Sequence, residues 1–187
     1  MGSFGQDLRR WKVEHVRPRD GEPIRVGLTA RDVMALLWRH PALWATMLHR
    51  MAHWCAAHRV RVLPSVLQKL NLLLFGLEIA PATPIGPGLY IAHPSGTVIV
   101  AERIGANASF IHACTLGLRD THEFPVLGDG VFVGAGARVL GGVHVGDGAS
   151  VGANAVVLDD VPAHATAVGV PARIVSRARV AAAATGE

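Results

Sequence analysis

The chain has 187 residues, half of them apolar and 17% charged, enough for a buried core and too apolar for disorder throughout. Its net charge of +4 gathers at the ends, in Arg9, Arg10, Lys12, Arg17, Arg19 and Arg25 and again in Arg173, Arg177 and Arg179. No continuous basic stripe crosses the neutral middle, which argues against a nucleic-acid partner and leaves the basic ends to solvent, an anionic ligand or a membrane surface.

Cys55 and Cys114 are too few for a disulfide framework and fit a reducing compartment. The first ten residues are polar and lack the apolar core of a secretory leader. The most apolar runs, 42–47 and 70–77, fall short of the ~20 residues that cross a bilayer. The expected location is cytoplasmic, at most peripheral at a membrane.

In chain order, residues 1–28 are broken by Pro18, Gly21, Pro23 and Gly27 and read as an extended arm. Residues 29–77 read as helical. Thr29 with Asp32 three positions on forms a start signal, and Met34, Leu37 and Trp38 follow at helical spacing. Pro41 opens a second helix carrying Leu43, Met47, Met51 and Trp54. A third follows Pro64, with Val66, Leu67, Leu70, Leu73 and Leu74 on its apolar side, and ends at Gly76. Trp38, Trp44 and Trp54 are expected in the helical core, or, with Arg39, Arg50, Arg59 and Arg61, at a membrane interface.

The pattern changes near Ala80. Leu127, Val133, Val139, Val145, Val151 and Val157 recur at a strict six, and a second series of small residues trails each by four: Ala108, Cys114, Val131, Ala137, Val143, Ala149, Ala155 and Val161. A helix needs spacing near 3.6, so a six-residue unit is a short strand and turn that points one large and one small side chain inward. One unit cannot bury its own apolar side, so many must stack into a parallel β-helix. The period breaks twice. One residue is extra between Ile91 and Ile104, and about five are extruded as a loop within 118–126. That loop carries Arg119, Asp120, His122 and Glu123, a candidate site wall.

Several stretches go beyond the bare period: Ile85-Gly86-Pro87-Gly88-Leu89-Tyr90-Ile91-Ala92-His93, Cys114-Thr115-Leu116-Gly117, Val133-Gly134-Ala135-Gly136-Ala137, Val151-Gly152-Ala153-Asn154-Ala155, Asp160-Val161-Pro162, and Val168-Gly169-Val170-Pro171-Ala172-Arg173. Together these resemble the serine acetyltransferases and related exopolysaccharide acetyltransferases of the hexapeptide-repeat superfamily. The resemblance implies a mostly β fold, a left-handed parallel β-helix over 78–175, behind an N-terminal α-helical segment and before a tail at 176–187. It also implies a homotrimer with active sites between subunits, and acetyl-CoA as co-substrate in the groove.

By the same resemblance His93 stands at the catalytic base, and imidazole suits removal of a hydroxyl proton near neutral pH. Glu78 stands where an aspartate supports that base. Ala135 and Ala153 fall on the pantetheine wall, and Arg173 and Arg177 match positions that reach CoA phosphates. His112, His122 and Arg119 are candidate substrate contacts.

Two departures bear on the acceptor: Ala92 replaces an aspartate, and Glu123 and Phe124 replace an arginine–histidine pair. A free serine zwitterion needs partners for both charges, so the reading favours a sugar, carrier-linked or other small hydroxyl. Serine O-acetylation for cysteine biosynthesis is the alternative, and a non-catalytic binding or assembly protein is a third. His49 and His53 sit at i and i+4 without a third ligand, so no metal is expected.

Overall fold

The computed structural model describes residues 3–13, 25–120 and 122–175. Four helices precede the repeats: α1 (Ser3–Lys12), α2 (Ala30–Arg39), α3 (Pro41–Ala57) and α4 (Leu63–Phe75). Thr29 and Asp32 close a reciprocal capping box at the start of α2, Pro41 begins α3, and Gly76 ends α4 in the left-handed conformation, φ 66°.

The repeats form a parallel β-helix with three faces. The first holds β1 (Leu77–Ile79), β3 (Thr97–Ile99), β6 (Thr115–Gly117), β9 (Arg138–Leu140) and β12 (Val156–Val157). The second holds β4 (Arg103–Ile104), β7 (Val126–Leu127) and β10 (His144–Val145), prolonged by the bridges Ile85 to Ile104 and Val145 to Val161. The third holds β2 (Tyr90–Ile91), β5 (Ser109–Phe110), β8 (Phe132–Val133), β11 (Ser150–Val151), β13 (Thr166–Val168) and β14 (Arg173–Val175), of which β14 alone pairs antiparallel. Both inward series are buried throughout, Leu127 to Val157 and Ala108 to Val161, so large and small side chains interdigitate along one core.

The expected extended arm is corrected: residues 3–12 are helical. Asp7, Leu8, Arg10 and Trp11 share a buried face, a helical spacing that the breakers farther along the arm obscured. Residues 14–24 of the arm and the tail 176–187 lie outside the described residues.

Helix α1 docks on the first coil through a buried ion pair. The Asp7 carboxylate accepts from Arg50 at 2.9 Å and from the Gly88 and Leu89 N–H groups at 2.9 and 2.8 Å. Arg50 also donates to the carbonyls of Ile85 and Gly86. Burial pushes the Asp7 carboxyl above its ordinary range, against the pull of Arg50 and the two N–H groups. Trp11 meets Tyr90 at 4.6 Å between ring centroids, and Arg10 lies over the same ring at 5.2 Å.

The tryptophans are not the helical core. Trp38 is 91% exposed, and Trp44 and Trp54 are also exposed. On α4 only Pro64, Leu67 and Asn71 are buried, so the apolar side expected at Val66, Leu70, Leu73 and Leu74 faces outward. Periodicity shows that a face is apolar and is silent on what covers it. No helix among the described residues is long and apolar enough to cross a membrane.

The docking of α1 and α3 is testable at two residues. Asp7→Ala strands Arg50 in a buried site and should cost about 3 kcal/mol in chemical denaturation. The second concerns His49, buried on α3 with both ring nitrogens unpaired among the described residues and its pKa lowered to about 3, chiefly by burial and then by Arg50 and His53. Folding favours the neutral ring, so its contribution is whole above the unfolded value of about 6.5 and is lost as pH falls toward 3. Each pH unit below about 6.5 should remove up to ~1.4 kcal/mol, and His49→Leu should flatten that slope in denaturant midpoints.

Candidate active site

Strand alternation and stacking register together build the site. Ile91, Phe110, Val133, Val151 and Ala167 point inward and pair in one ladder across the third face. Two residues past each, the chain turns the corner toward the first face. Those second positions are His93, His112, Ala135, Ala153 and Gly169. A single edge therefore carries two imidazoles followed by two methyl groups and a glycine. The four steps from His93 to Gly169 span about 19 Å at ~4.8 Å per step.

The ladder continues into the corner. His93 N–H donates to Ile111 O at 2.9 Å, Gly136 N–H to His112 O at 2.9 Å, and Asn154 N–H to Ala135 O at 2.8 Å. His93, His112 and Ala153 are exposed and Ala135 is half-buried. The His93 and His112 rings stand edge to face, 6.1 Å between centroids at 64°. At Gly136, φ 69°, an added Cβ would lie 2.1 Å from Asn154 Oδ1, so only glycine keeps this wall flat.

Arg173 stands at the far end of the same edge. It is exposed on β14 opposite Val168, the residue before Gly169, and among the described residues its guanidinium reaches no acceptor beyond the Ala172 carbonyl. Arg177 lies outside the described residues.

The remaining candidates are not gathered here within one chain. Glu78 lies on the first face in register with Val98, where it accepts from Gln68 Nε2 at 3.3 Å and makes no hydrogen bond to His93. Arg119 and His122 are exposed on the extruded loop, at the corner between the first and second faces. There Arg119 pairs with Asp120 at 3.0 Å and packs over Gly141, while Glu123 packs over Gly142. These residues and Gly141–Gly142 border a cleft of about 490 Å³. A larger cleft of about 760 Å³, between Trp54, Phe4 and Arg103, also excludes His93.

Cys114 is buried beneath the His112 turn, and its Sγ faces the carbonyls of His112 and Gly134 at 3.4 and 3.3 Å. Burial pushes this thiol up from its ordinary value, which suits a core residue and opposes a nucleophile.

Arg138 is a participant that pattern reading passes over. It starts β9 just past the corner and donates through Nη1 to the carbonyls of Ala113 and Gly136 at 2.6 and 2.8 Å. The available signal was its charge, since it is the one Asp, Glu, Lys or Arg between Asp129 and Asp147.

Comparison with known proteins agrees with this architecture. Residues 124–159 match the bacterial transferase hexapeptide (six repeats) model. A serine acetyltransferase from Synechococcus elongatus is 39% identical over 155 residues, covering 81% of this chain and 64% of that protein. One from Helicobacter pylori is 40% identical over 156 residues, covering 80% of this chain and 90% of that protein. Soybean serine acetyltransferase complexed with serine superimposes with a TM-score of 0.78 at 36% identity, covering 92% of this chain and 68% of that one. A serine acetyltransferase in complex with CoA gives a TM-score of 0.76 at 31% identity, over 92% of this chain and 68% of that one. The chain thus spans about two thirds of the length of several of these proteins.

Proposed function

Since the chain belongs to the serine acetyltransferase family of hexapeptide-repeat transferases, we propose that it moves the acetyl group of acetyl-CoA onto the hydroxyl of serine. The relatives favour serine over the sugar or carrier-linked acceptor expected from the sequence. The observation that carries the reading is the single edge bearing His93, His112, Ala135 and Ala153, with Arg173 at its end. It offers a base at one end, a smooth strip along which a pantetheine arm lies, and a cation for phosphate at the other.

In the proposed reaction His93 takes the hydroxyl proton as the oxygen attacks the thioester carbonyl. The C–S bond then breaks, and the imidazolium returns the proton to the CoA thiolate. Glu78, on the adjoining face and without a hydrogen bond to His93 in this structure, is the carboxylate proposed to stabilise the imidazolium through its charge.

A single chain supplies only one wall of this groove. The reading therefore includes a homotrimer in which the extruded loop of a neighbour brings its Arg119 and His122 toward the acceptor. In support, the first face carries half-buried apolar side chains at the outward positions Val98, Val100, Leu140, Val156 and Leu158, interspersed with the polar Glu78, Thr115 and Arg138. Ala92 beside His93 favours a second reading, a hydroxyl acceptor without an amino-acid head group. A contact with an anionic membrane surface through Met34 and Trp38, flanked by Arg31 and Arg39, is a further part of the proposal.

His93→Ala should abolish thiol release from acetyl-CoA while CoA binding by calorimetry and the sedimentation profile stay unchanged. Turnover retained in that variant defeats the mechanism. Serine should outrun homoserine and sugar acceptors, and a reversed order would assign the second reading. Ala153→Phe should raise the KM for acetyl-CoA at least ~10-fold, a loss of about 1.4 kcal/mol of binding, with the KM for serine little changed.

A further inference from the structure

Resting on the reading of His93 as the base, we infer that His112 is a second catalytic residue, whose ring N–H receives the oxyanion that forms on the thioester carbonyl. Position is the first observation. A thioester that lies along Ala153 and Ala135 and ends beside His93 must pass the step between them, and His112 occupies that step. Its ring is exposed and stands edge to face with the His93 ring at 6.1 Å. Two imidazoles so spaced flank one reacting centre, one facing the attacking hydroxyl and the other the carbonyl oxygen.

The second observation is the backbone that aims His112. The next residue, Ala113, has φ 52°, while Gly96, Gly136 and Asn154 take the left-handed turn at the equivalent corners. An alanine there costs roughly 1 kcal/mol. Such a conformation persists only where its surroundings over-determine it. They do so here. Arg138 donates to Ala113 O at 2.6 Å, Ala113 N–H to Ser95 O at 3.2 Å, and Gly136 N–H to His112 O at 2.9 Å. Arg138 is thus a positioning residue that holds the turn from the next coil while the His112 ring stays clear of other hydrogen-bond partners among the described residues.

The step balances without further reagents. The hydroxyl oxygen forms the new C–O bond, its proton goes to His93, and the carbonyl π pair moves to oxygen against the His112 N–H, which keeps its proton. On collapse the pair returns, the C–S bond breaks, and His93 gives its proton to the departing sulfur. A donor already in place pays no reorganisation when the charge develops.

The test measures acetyl-CoA turnover with serine for His93→Ala, His112→Ala, His112→Gln and Arg138→Met, with circular dichroism and CoA calorimetry to confirm folding. His112→Ala should lower kcat about 100-fold, as loss of one oxyanion donor does elsewhere, with both KM values within a few-fold. His112→Gln restores an N–H and should regain at least ~10-fold. Arg138→Met should lower kcat by a smaller factor, and the double variant with His112→Ala should fall no further than His112→Ala alone. Full activity in His112→Ala beside a dead His93→Ala overturns this inference and leaves the base assignment standing. Activity retained in His93→Ala overturns the base assignment itself. A rise in the serine KM at unchanged kcat would make His112 an acceptor contact and also overturns the inference, as does a glutamine variant no better than alanine.

Discussion

The structure depends on one constraint, the in-register stacking of coils. Each rung hands its backbone hydrogen bonds to the next, so a residue's place in one coil dictates the place of its counterpart in every other. Alternating large and small inward residues make that register favourable, because a slip of one residue would send the whole aliphatic set into solvent. The same register draws the candidate site as a line along a corner, with chemistry changing from imidazole to methyl as the coils ascend.

The helices serve this edge at its base. Asp7 and Arg50 clamp Ile85 through Leu89, and Trp11 and Arg10 cover Tyr90, which lies three residues before His93. The first coil has no coil beneath it along the third face, so α1 supplies the missing neighbour for the strand that leads to His93. Buried charge is costly in such a place, yet four donors meet the Asp7 carboxylate there.

Some of this was legible in the residues and some was not, for physical reasons. The period of six announced the β-helix because a repeat advertises its own geometry, and every member of both inward series is buried. The His93 edge followed from family likeness, yet the register would have served as well, since His93, His112, Ala135 and Ala153 each follow an inward residue by two. Helix α1 was missed because prolines and glycines beyond it coloured the whole arm, although Phe4, Leu8 and Trp11 keep helical spacing. The outward faces of α2 and α4 were misjudged, since an apolar stripe says nothing of its cover. The distance of Arg119 and His122 from His93 within one chain was invisible too, because two different corners of a prism look alike in a linear string. Arg138 escaped notice because a lone charge in a strand usually faces water.

The reversed direction of β14 has a consequence for growth. A parallel ladder left open at its top would accept the bottom of another molecule, and chains could string together end on end. The strand from Arg173 to Val175 runs backward along β13 and offers the wrong polarity, with an exposed guanidinium on its rim, while helices block the opposite end. End-on pairing through the third face is thereby disfavoured.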